Sequence, residues 1–185
     1  TVFRDVIMLA LAGFVCLVIL LIPFINPPAK TESTTSEPPG NVIVEVFWPE
    51  DRDVDVDLWV KAPSDAAVGY SNMNGYYFNL LRDDRGNLFD RTPINYEISY
   101  TRGIAAGDYQ ANIHLYQTDG GAPIEVKIII SVVEPEQRAR TAIIKKDVIL
   151  KKFGQEITVA RWTLASDGKL APNSVHSLKR SLLRR

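Results

Sequence analysis

The chain has 185 residues and a formal net charge of −1. This near-neutral balance argues against a general nucleic-acid binder, so we do not expect nucleic acid as a partner. The single cysteine, Cys16, excludes a disulfide framework and a thiolate metal site. Once an apolar N-terminal stretch and a polar linker are set aside, the remaining length fits one domain of ordinary size.

Residues 1–25 predict a short N-terminal arm and one transmembrane helix. From Val6 to Ile22 the chain carries no charged residue and no amide side chain. At ~1.5 Å per residue, such a helix spans about the thickness of the hydrocarbon core of a bilayer. A cleaved signal peptide is the alternative, but residues 22–26 offer no small-x-small cleavage site. We therefore interpret the stretch as an uncleaved anchor.

Residues 26–40 predict a linker, because prolines there bracket serine, threonine and glutamate and leave little apolar area to bury. From residue 41 the hydrophobic period changes to two, which is typical of β-strands. Turn signals separate the candidate strands. Short strands at near-regular spacing predict an antiparallel β-sandwich over residues 41–170. The candidate strands are 42–48, 54–60, 75–81, 94–101, 109–117, 124–133, 141–151 and 156–164.

A strand rich in aspartate is the candidate metal site. Asp53, Asp55 and Asp57 alternate with apolar residues and would project to one face of the sheet. Neighbouring carboxylates suit Ca²⁺, and loop residues would supply further oxygen ligands. The alternative is a solvated sheet face with polar residues at every second position. The candidate loop ligands are Asn72, Asn74, Asp83 and Asp84.

Catalytic motifs are not evident, and we predict that the protein is not an enzyme. His114 lies in a strand pattern and His176 near the C-terminus, without a nucleophile motif or a histidine pair at metal spacing. The stretch 69–77 mixes aromatic and amide side chains. It is a candidate for sugar or peptide binding, although loop composition alone produces the same pattern.

Residues 171–185 predict a basic C-terminal tail. Its lysine and arginine side chains would pair with an acidic partner or with anionic lipid. The alternative is a solvated tail that packs Leu178, Leu182 and Leu183 on the domain, and this second interpretation is slightly favoured.

The N-terminal helix carries an acid at the start of its apolar run. Helical spacing aligns Asp5, Leu9, Ala12 and Cys16 along one stripe with Gly13 beside it. Small residues at this spacing allow a second helix to approach closely. The stripe therefore predicts helix packing. The alternative is a solvated Asp5 at the membrane interface, favoured by the positive end of the helix dipole.

Residues 5–14, Asp-Val-Ile-Met-Leu-Ala-Leu-Ala-Gly-Phe, place this acid before an aliphatic and aromatic run. Such an arrangement is similar to the B-type subunits of proton-driven bacterial motors, the ExbD, TolR and MotB group. The resemblance implies that Asp5 carries protons and that two copies of the helix sit inside a pentamer of a polytopic MotA/TolQ/ExbB-like partner. It also implies a single-pass protein of the bacterial inner membrane, with a cytoplasmic N-terminus, a periplasmic C-terminal domain and contact with membrane lipid.

The domain departs from that group, since it has neither an OmpA-type peptidoglycan signature nor the pattern of the small α/β domain of ExbD and TolR. Residues 55–60, Asp-Val-Asp-Leu-Trp-Val, followed by Pro63, resemble instead a bacterial β-sandwich module of uncharacterised role. The resulting hypothesis is a membrane-anchored motor subunit whose domain transmits or anchors motion. The alternative is a membrane-tethered periplasmic module that binds Ca²⁺, glycan or peptide, with a passive anchor helix.

Overall fold

The structure is a computed structural model that describes residues 2–25, 40–85, 94–121, 123–133 and 139–183. Within the N-terminal helix, side chains are described for residues 2–18. The chain divides into two compact units, Thr1–Glu37 and Pro38–Arg185.

The N-terminal unit contains one helix, α1 (Val2–Ile25). None of the helices in the described part of the chain is long and apolar enough to cross a membrane. The prediction of a transmembrane helix is therefore wrong for the part of the chain that the structure describes.

The predicted stripe residues all lie on α1, with Asp5 in its first turn. Within the described residues, Asp5, Leu9, Ala12 and Cys16 are exposed. A Cβ atom placed on Gly13 would meet no atom within 4 Å. Proton transport by Asp5 and helix packing along the stripe stay predictions.

The second unit contains eight strands in its described residues, and they form two antiparallel sheets. The strands are β1 (Val42–Phe47), β2 (Asp55–Lys61), β3 (Phe78–Arg82), β4 (Tyr96–Thr101), β5 (Gly107–Gln117), β6 (Ile124–Val133), β7 (Arg140–Leu150) and β8 (Glu156–Leu164). One sheet has the order β3-β4-β1-β6-β7 and the other has the order β2-β5-β8. The β-rich part of the fold prediction therefore agrees with these two antiparallel sheets.

The predicted strand bounds differ most at β3, which begins at Phe78 and not at residue 75. The backbone N–H of Gly75 donates to the carbonyl of Phe78 over 2.8 Å. This bond closes a turn, so residues 75–77 cannot extend the strand. The aromatic stretch 69–77 thus belongs to the connection between β2 and β3.

The hydrophobic core follows the alternation of the strands and draws side chains from both sheets. Val42, Val44 and Val46 of β1 are fully buried. The rings of Tyr109 and Trp162 stack at 5.5 Å between centroids. Full burial of an apolar side chain such as valine stabilises a fold by about 1.5–3 kcal/mol.

Strand β4 orients its polar residues toward the core. In the antiparallel register, Glu97 lies opposite Val46 and Ser99 lies opposite Val44. Directly opposed residues share a sheet face, so both polar side chains face the same interior as these valines. Glu97 and Ser99 are both 0% exposed. This inversion places a carboxylate inside the domain.

The C-terminal residues of the described chain pack against the outer face of the three-stranded sheet. The carbonyl of Arg180 accepts hydrogen bonds from Gln110 Nε2 at 2.6 Å, Asn112 Nδ2 at 2.8 Å and Thr158 Oγ1 at 3.0 Å. Leu182 is buried. Of the two other predicted packing residues, Leu183 is half-buried and Leu178 is exposed.

Glu156 fastens this C-terminal segment, because Oε1 accepts the N–H of Leu182 at 2.8 Å and Oε2 accepts the hydroxyl of Ser181 at 2.5 Å. Bonds to a charged acceptor contribute about 1.5–3 kcal/mol each. We expect Glu156→Ala to speed hydrogen exchange at the Leu182 amide roughly 10- to 100-fold. Exchange measured by NMR checks this, with the exposed Glu125 as the Glu125→Ala control. An unchanged rate at Leu182 would contradict the assignment.

Candidate metal centre

Three carboxylates meet where the open edge of β2 lies beside β4. Asp55, Asp57 and Glu97 each offer one oxygen, and these oxygens lie within 4.8 Å of one another. All three residues are buried. Two of them come from the three-stranded sheet and one from the five-stranded sheet, so the packing of the two sheets creates the cluster.

Glu97 is the fully buried member of the cluster. One of its carboxylate oxygens accepts the backbone N–H of Leu58 at 2.6 Å, and the other accepts the N–H of Asp84 at 3.2 Å. Burial raises the pKa of Glu97 well above its ordinary value, nearby Asp57 raises it further, and the two N–H donors oppose the shift. The backbone thus holds both oxygens in fixed positions.

Asp57 pairs with a histidine on the neighbouring strand. The β2–β5 register sets Asp57 directly opposite His114. Asp57 Oδ2 lies 2.9 Å from His114 Nδ1. Burial raises the pKa of Asp57, and the contact with His114 opposes that shift. The imidazole therefore orients one oxygen of Asp57.

Asp55 is the member whose hydrogen bonding is incomplete. Oδ1 is buried and has no hydrogen-bond partner among the residues that the structure describes. Burial raises the pKa of Asp55 to about 7, and the charges of Asp57, Asp83 and Asp84 add to the shift. A buried acceptor without a partner is costly, and an ionised one costs more. This oxygen therefore needs a positive or donating group that the described protein atoms do not supply.

Two further aspartates border the cluster on the loop after β3. Asp84 Oδ2 accepts a hydrogen bond from Arg82 at 3.0 Å, and Asp83 Oδ2 accepts one from Arg85 at 3.2 Å. Counted over the described residues, five carboxylates face two guanidinium groups and one imidazole. The surplus of negative charge favours binding of a cation.

The donor set of the cluster consists of carboxylate oxygens, which suit hard cations such as Ca²⁺, Mg²⁺ and Mn²⁺. A cavity of about 230 Å³ reaches the cluster and is lined partly by Asp55 and Asp57. Since Ca²⁺ takes 6–8 oxygen ligands, positions left open by the three carboxylates would go to water or to a ligand in this cavity.

The structure brings together only part of the predicted metal site. Asp53 precedes β2, is half-buried and lies outside the three-carboxylate cluster. Asn72 and Asn74 form bridges to Gly69 and Asn79 in the connection between β2 and β3. Asp83 and Asp84 do border the cluster. The interpretation of a solvated face also fails for Asp55 and Asp57, because both are buried.

Glu97 was not among the predicted ligands. Residues 96–101 read Tyr-Glu-Ile-Ser-Tyr-Thr, so alternation alone would turn Tyr96, Ile98 and Tyr100 inward. The only signal of a polar face in residues 96–101 is the alternation of Glu97, Ser99 and Thr101. His176, the second histidine, forms an isolated backbone bridge with Arg161 and is not a member of the carboxylate cluster.

Comparisons with protein-family models, with curated proteins and with solved structures find no match for this chain. The resemblance to motor subunits, the membrane location and the absence of enzymatic activity therefore stay predictions.

Proposed function

We propose that the β-sandwich domain is a binding module that holds a Ca²⁺ ion between β2 and β4. Asp55, Asp57 and Glu97 would supply the carboxylate oxygens. The observation that carries the proposal is Asp55 Oδ1, which is buried within a carboxylate cluster and has no partner among the described residues. A cation supplies the missing partner and offsets the repulsion among the acids.

Protonation is the competing way to relieve the cluster, but it neutralises one carboxylate at a time. A divalent ion contacts all three oxygens at once. Ligands on opposite sides of Ca²⁺, at ~2.3–2.6 Å from the ion, lie about 4.6–5.2 Å apart. The oxygens here lie within 4.8 Å of one another, so small side-chain adjustments would complete the contacts. Mg²⁺ demands a stricter octahedral geometry, which favours Ca²⁺ for a site shared by two sheets.

Calcium is expected to raise the melting temperature of the full chain relative to EDTA. A ligand that binds only the folded state at 100 times its Kd stabilises by about 2.7 kcal/mol, or roughly 5 to 10 °C for a chain of this size. Asp55→Asn should remove this gain because it deletes the unpartnered charge. Differential scanning calorimetry with Ca²⁺ and with Mg²⁺ provides the measurement.

Asp53→Asn is the matched control, since Asp53 lies two residues away and outside the cluster. This variant should keep the full gain with Ca²⁺. The proposal fails if Ca²⁺ leaves the melting temperature of the unmodified chain unchanged, or if Asp55→Asn retains the gain.

The binding module is the β-sandwich domain alone, and the N-terminal resemblance lends it no support. Of the alternative hypothesis, Ca²⁺ binding is retained and the transmembrane anchor is not.

A further inference from the structure

The cavity beside the carboxylate cluster has two different kinds of wall. Its volume is about 230 Å³. Carboxylates form one part and tyrosines form another. The lining residues are Asp55, Asp57, Tyr70, Asp83, Arg85 and Tyr116. This volume is below the ~300 Å³ at which pockets for drug-sized ligands begin, so the cavity suits a ligand of about one ring.

The two tyrosines present exposed aromatic surface that neighbouring groups hold in place. Tyr70 is 43% exposed and Tyr116 is 49% exposed. Their ring centroids lie 5.7 Å apart, and the centroid of Tyr70 lies 5.5 Å from that of the buried Trp59 in a T-shaped arrangement. Tyr116 lies on β5 with its ring 6.3 Å from that of His114. Rigid half-exposed rings of this kind provide large contact area at a small cost in conformational entropy.

Charge restricts the chemistry of the ligand. Three of the six lining residues are aspartates, so an anionic ligand would be repelled. Arg85 balances Asp83, with which it is paired, and the charges of Asp55 and Asp57 remain. A Ca²⁺ ion on Asp55 and Asp57 would still require oxygen ligands from the cavity side. The ligand should therefore be neutral, rich in hydroxyl oxygens and able to lie against an aromatic ring.

We infer that the cavity binds one neutral sugar ring of a glycan, with two adjacent hydroxyl groups of the sugar on the Ca²⁺ ion and an apolar ring face on Tyr70 or Tyr116. This inference rests on the proposed function, because the ion supplies the polar half of the contact. It also gives the aromatic connection between β2 and β3 a role, since Tyr70 belongs to that connection.

Isothermal titration calorimetry of the full chain tests Ca²⁺ binding first and sugar binding second. Ca²⁺ is titrated first, and D-mannose and D-galactose are then titrated in Ca²⁺ buffer and in EDTA. We expect one of the sugars to bind with a Kd on the order of 1 mM, because a single ring has few atoms with which to make contacts. Binding should be lost in EDTA.

Variants of the tyrosines separate stacking from a general loss of structure. At least one of Tyr70→Ala and Tyr116→Ala should weaken sugar binding roughly 10-fold while leaving Ca²⁺ binding intact. Tyr70→Phe keeps the ring and should retain most of the affinity. Tyr76→Ala is the matched control, since Tyr76 is 81% exposed, lies in the same connection and is not among the cavity residues.

The outcomes distinguish the two proposals. Ca²⁺ binding without binding of either sugar overturns this inference and leaves the proposed function standing. Failure to bind Ca²⁺ overturns both. Sugar binding that persists undiminished in EDTA, or that survives Tyr70→Ala and Tyr116→Ala, overturns the inference. Tight binding of choline in EDTA also overturns it, because the cavity would then be an aromatic cage for an organic cation.

Discussion

In EDTA, the melting temperature of the full chain is expected to fall as the pH rises from 5 to 8. Burial raises the pKa of Asp55 to about 7 and raises that of Glu97 well above its ordinary value. In the unfolded chain both groups release their protons near pH 4. Between these limits the folded state binds more protons than the unfolded state, so the free energy of unfolding decreases with rising pH.

Each such group changes the free energy of unfolding by at most ~1.4 kcal/mol per pH unit. Burial is the largest cause of the raised pKa of Asp55; among the charged groups that face it, Asp57, Asp83 and Asp84 raise the pKa further and Arg85 lowers it. Carboxylates with lowered pKa values, such as Asp119 and Glu156, act in the opposite sense but below about pH 4. They therefore do not cancel the slope between pH 5 and 8.

Calcium should oppose this pH dependence, because the ion replaces the protons that the folded cluster holds. The gain in melting temperature with Ca²⁺ should be larger at pH 8 than at pH 5. Asp55→Asn should flatten the slope in EDTA, whereas Asp53→Asn should leave it unchanged. Thermal unfolding followed by circular dichroism across the pH range gives the comparison. A slope in EDTA that is zero or positive for the unmodified chain would show that the cluster does not hold raised pKa values.

Glu97→Ala is expected to be the most destabilising single change at the cluster. It removes the acceptor of two backbone N–H groups, those of Leu58 and Asp84, and a buried unsatisfied donor costs about 1–3 kcal/mol. We therefore expect a loss of roughly 2–6 kcal/mol, a large part of the ~5–15 kcal/mol that stabilises a typical domain. Urea unfolding at pH 7 in EDTA measures it.

Ser99→Ala is the control, because Ser99 lies on the same strand and the same buried face. Its hydroxyl makes one bond, to the carbonyl of Asn79 at 2.9 Å, so its loss should cost only about 1 kcal/mol. Glu97→Gln tests charge separately from shape. One oxygen remains to accept an N–H, and Ca²⁺ affinity should fall. A cost for Glu97→Ala no larger than that of Ser99→Ala would contradict the assigned role.

The sequence allowed the strands to be predicted but not their pairing. Alternation located β1, β2 and β5 closely, because one face of each strand is apolar and the period of two is visible in the sequence. The contact of Asp57 with His114 depends on the register between β2 and β5. Register arises from tertiary packing and cannot be counted along one strand. The contact between Asp57 and His114, which are 57 positions apart in the sequence, could therefore not be predicted.

Prediction failed at Glu97 for a related reason. Alternation assigns the more hydrophobic face of a strand to the core, and in β4 that face contains Tyr96, Ile98 and Tyr100. The opposite face is buried because it faces the domain interior, where Glu97 reaches the edge of β2 in the other sheet. A binding cluster built from an inverted strand thus leaves only a weak pattern in the sequence.

The contact between Glu97 and Leu58 also bears on how copies of this protein avoid joining edge to edge. Strand β2 is an outer strand of its sheet, and exposed N–H and C=O groups on such strands are templates for pairing with another chain. Here Glu97 binds the N–H of Leu58, while the connection after β2 pairs with Val60 through Val68. The carboxylate assigned to the ion therefore also blocks strand addition. Loss of that carboxylate would remove one of the proposed Ca²⁺ ligands and would also free the N–H of Leu58 for intermolecular β-pairing.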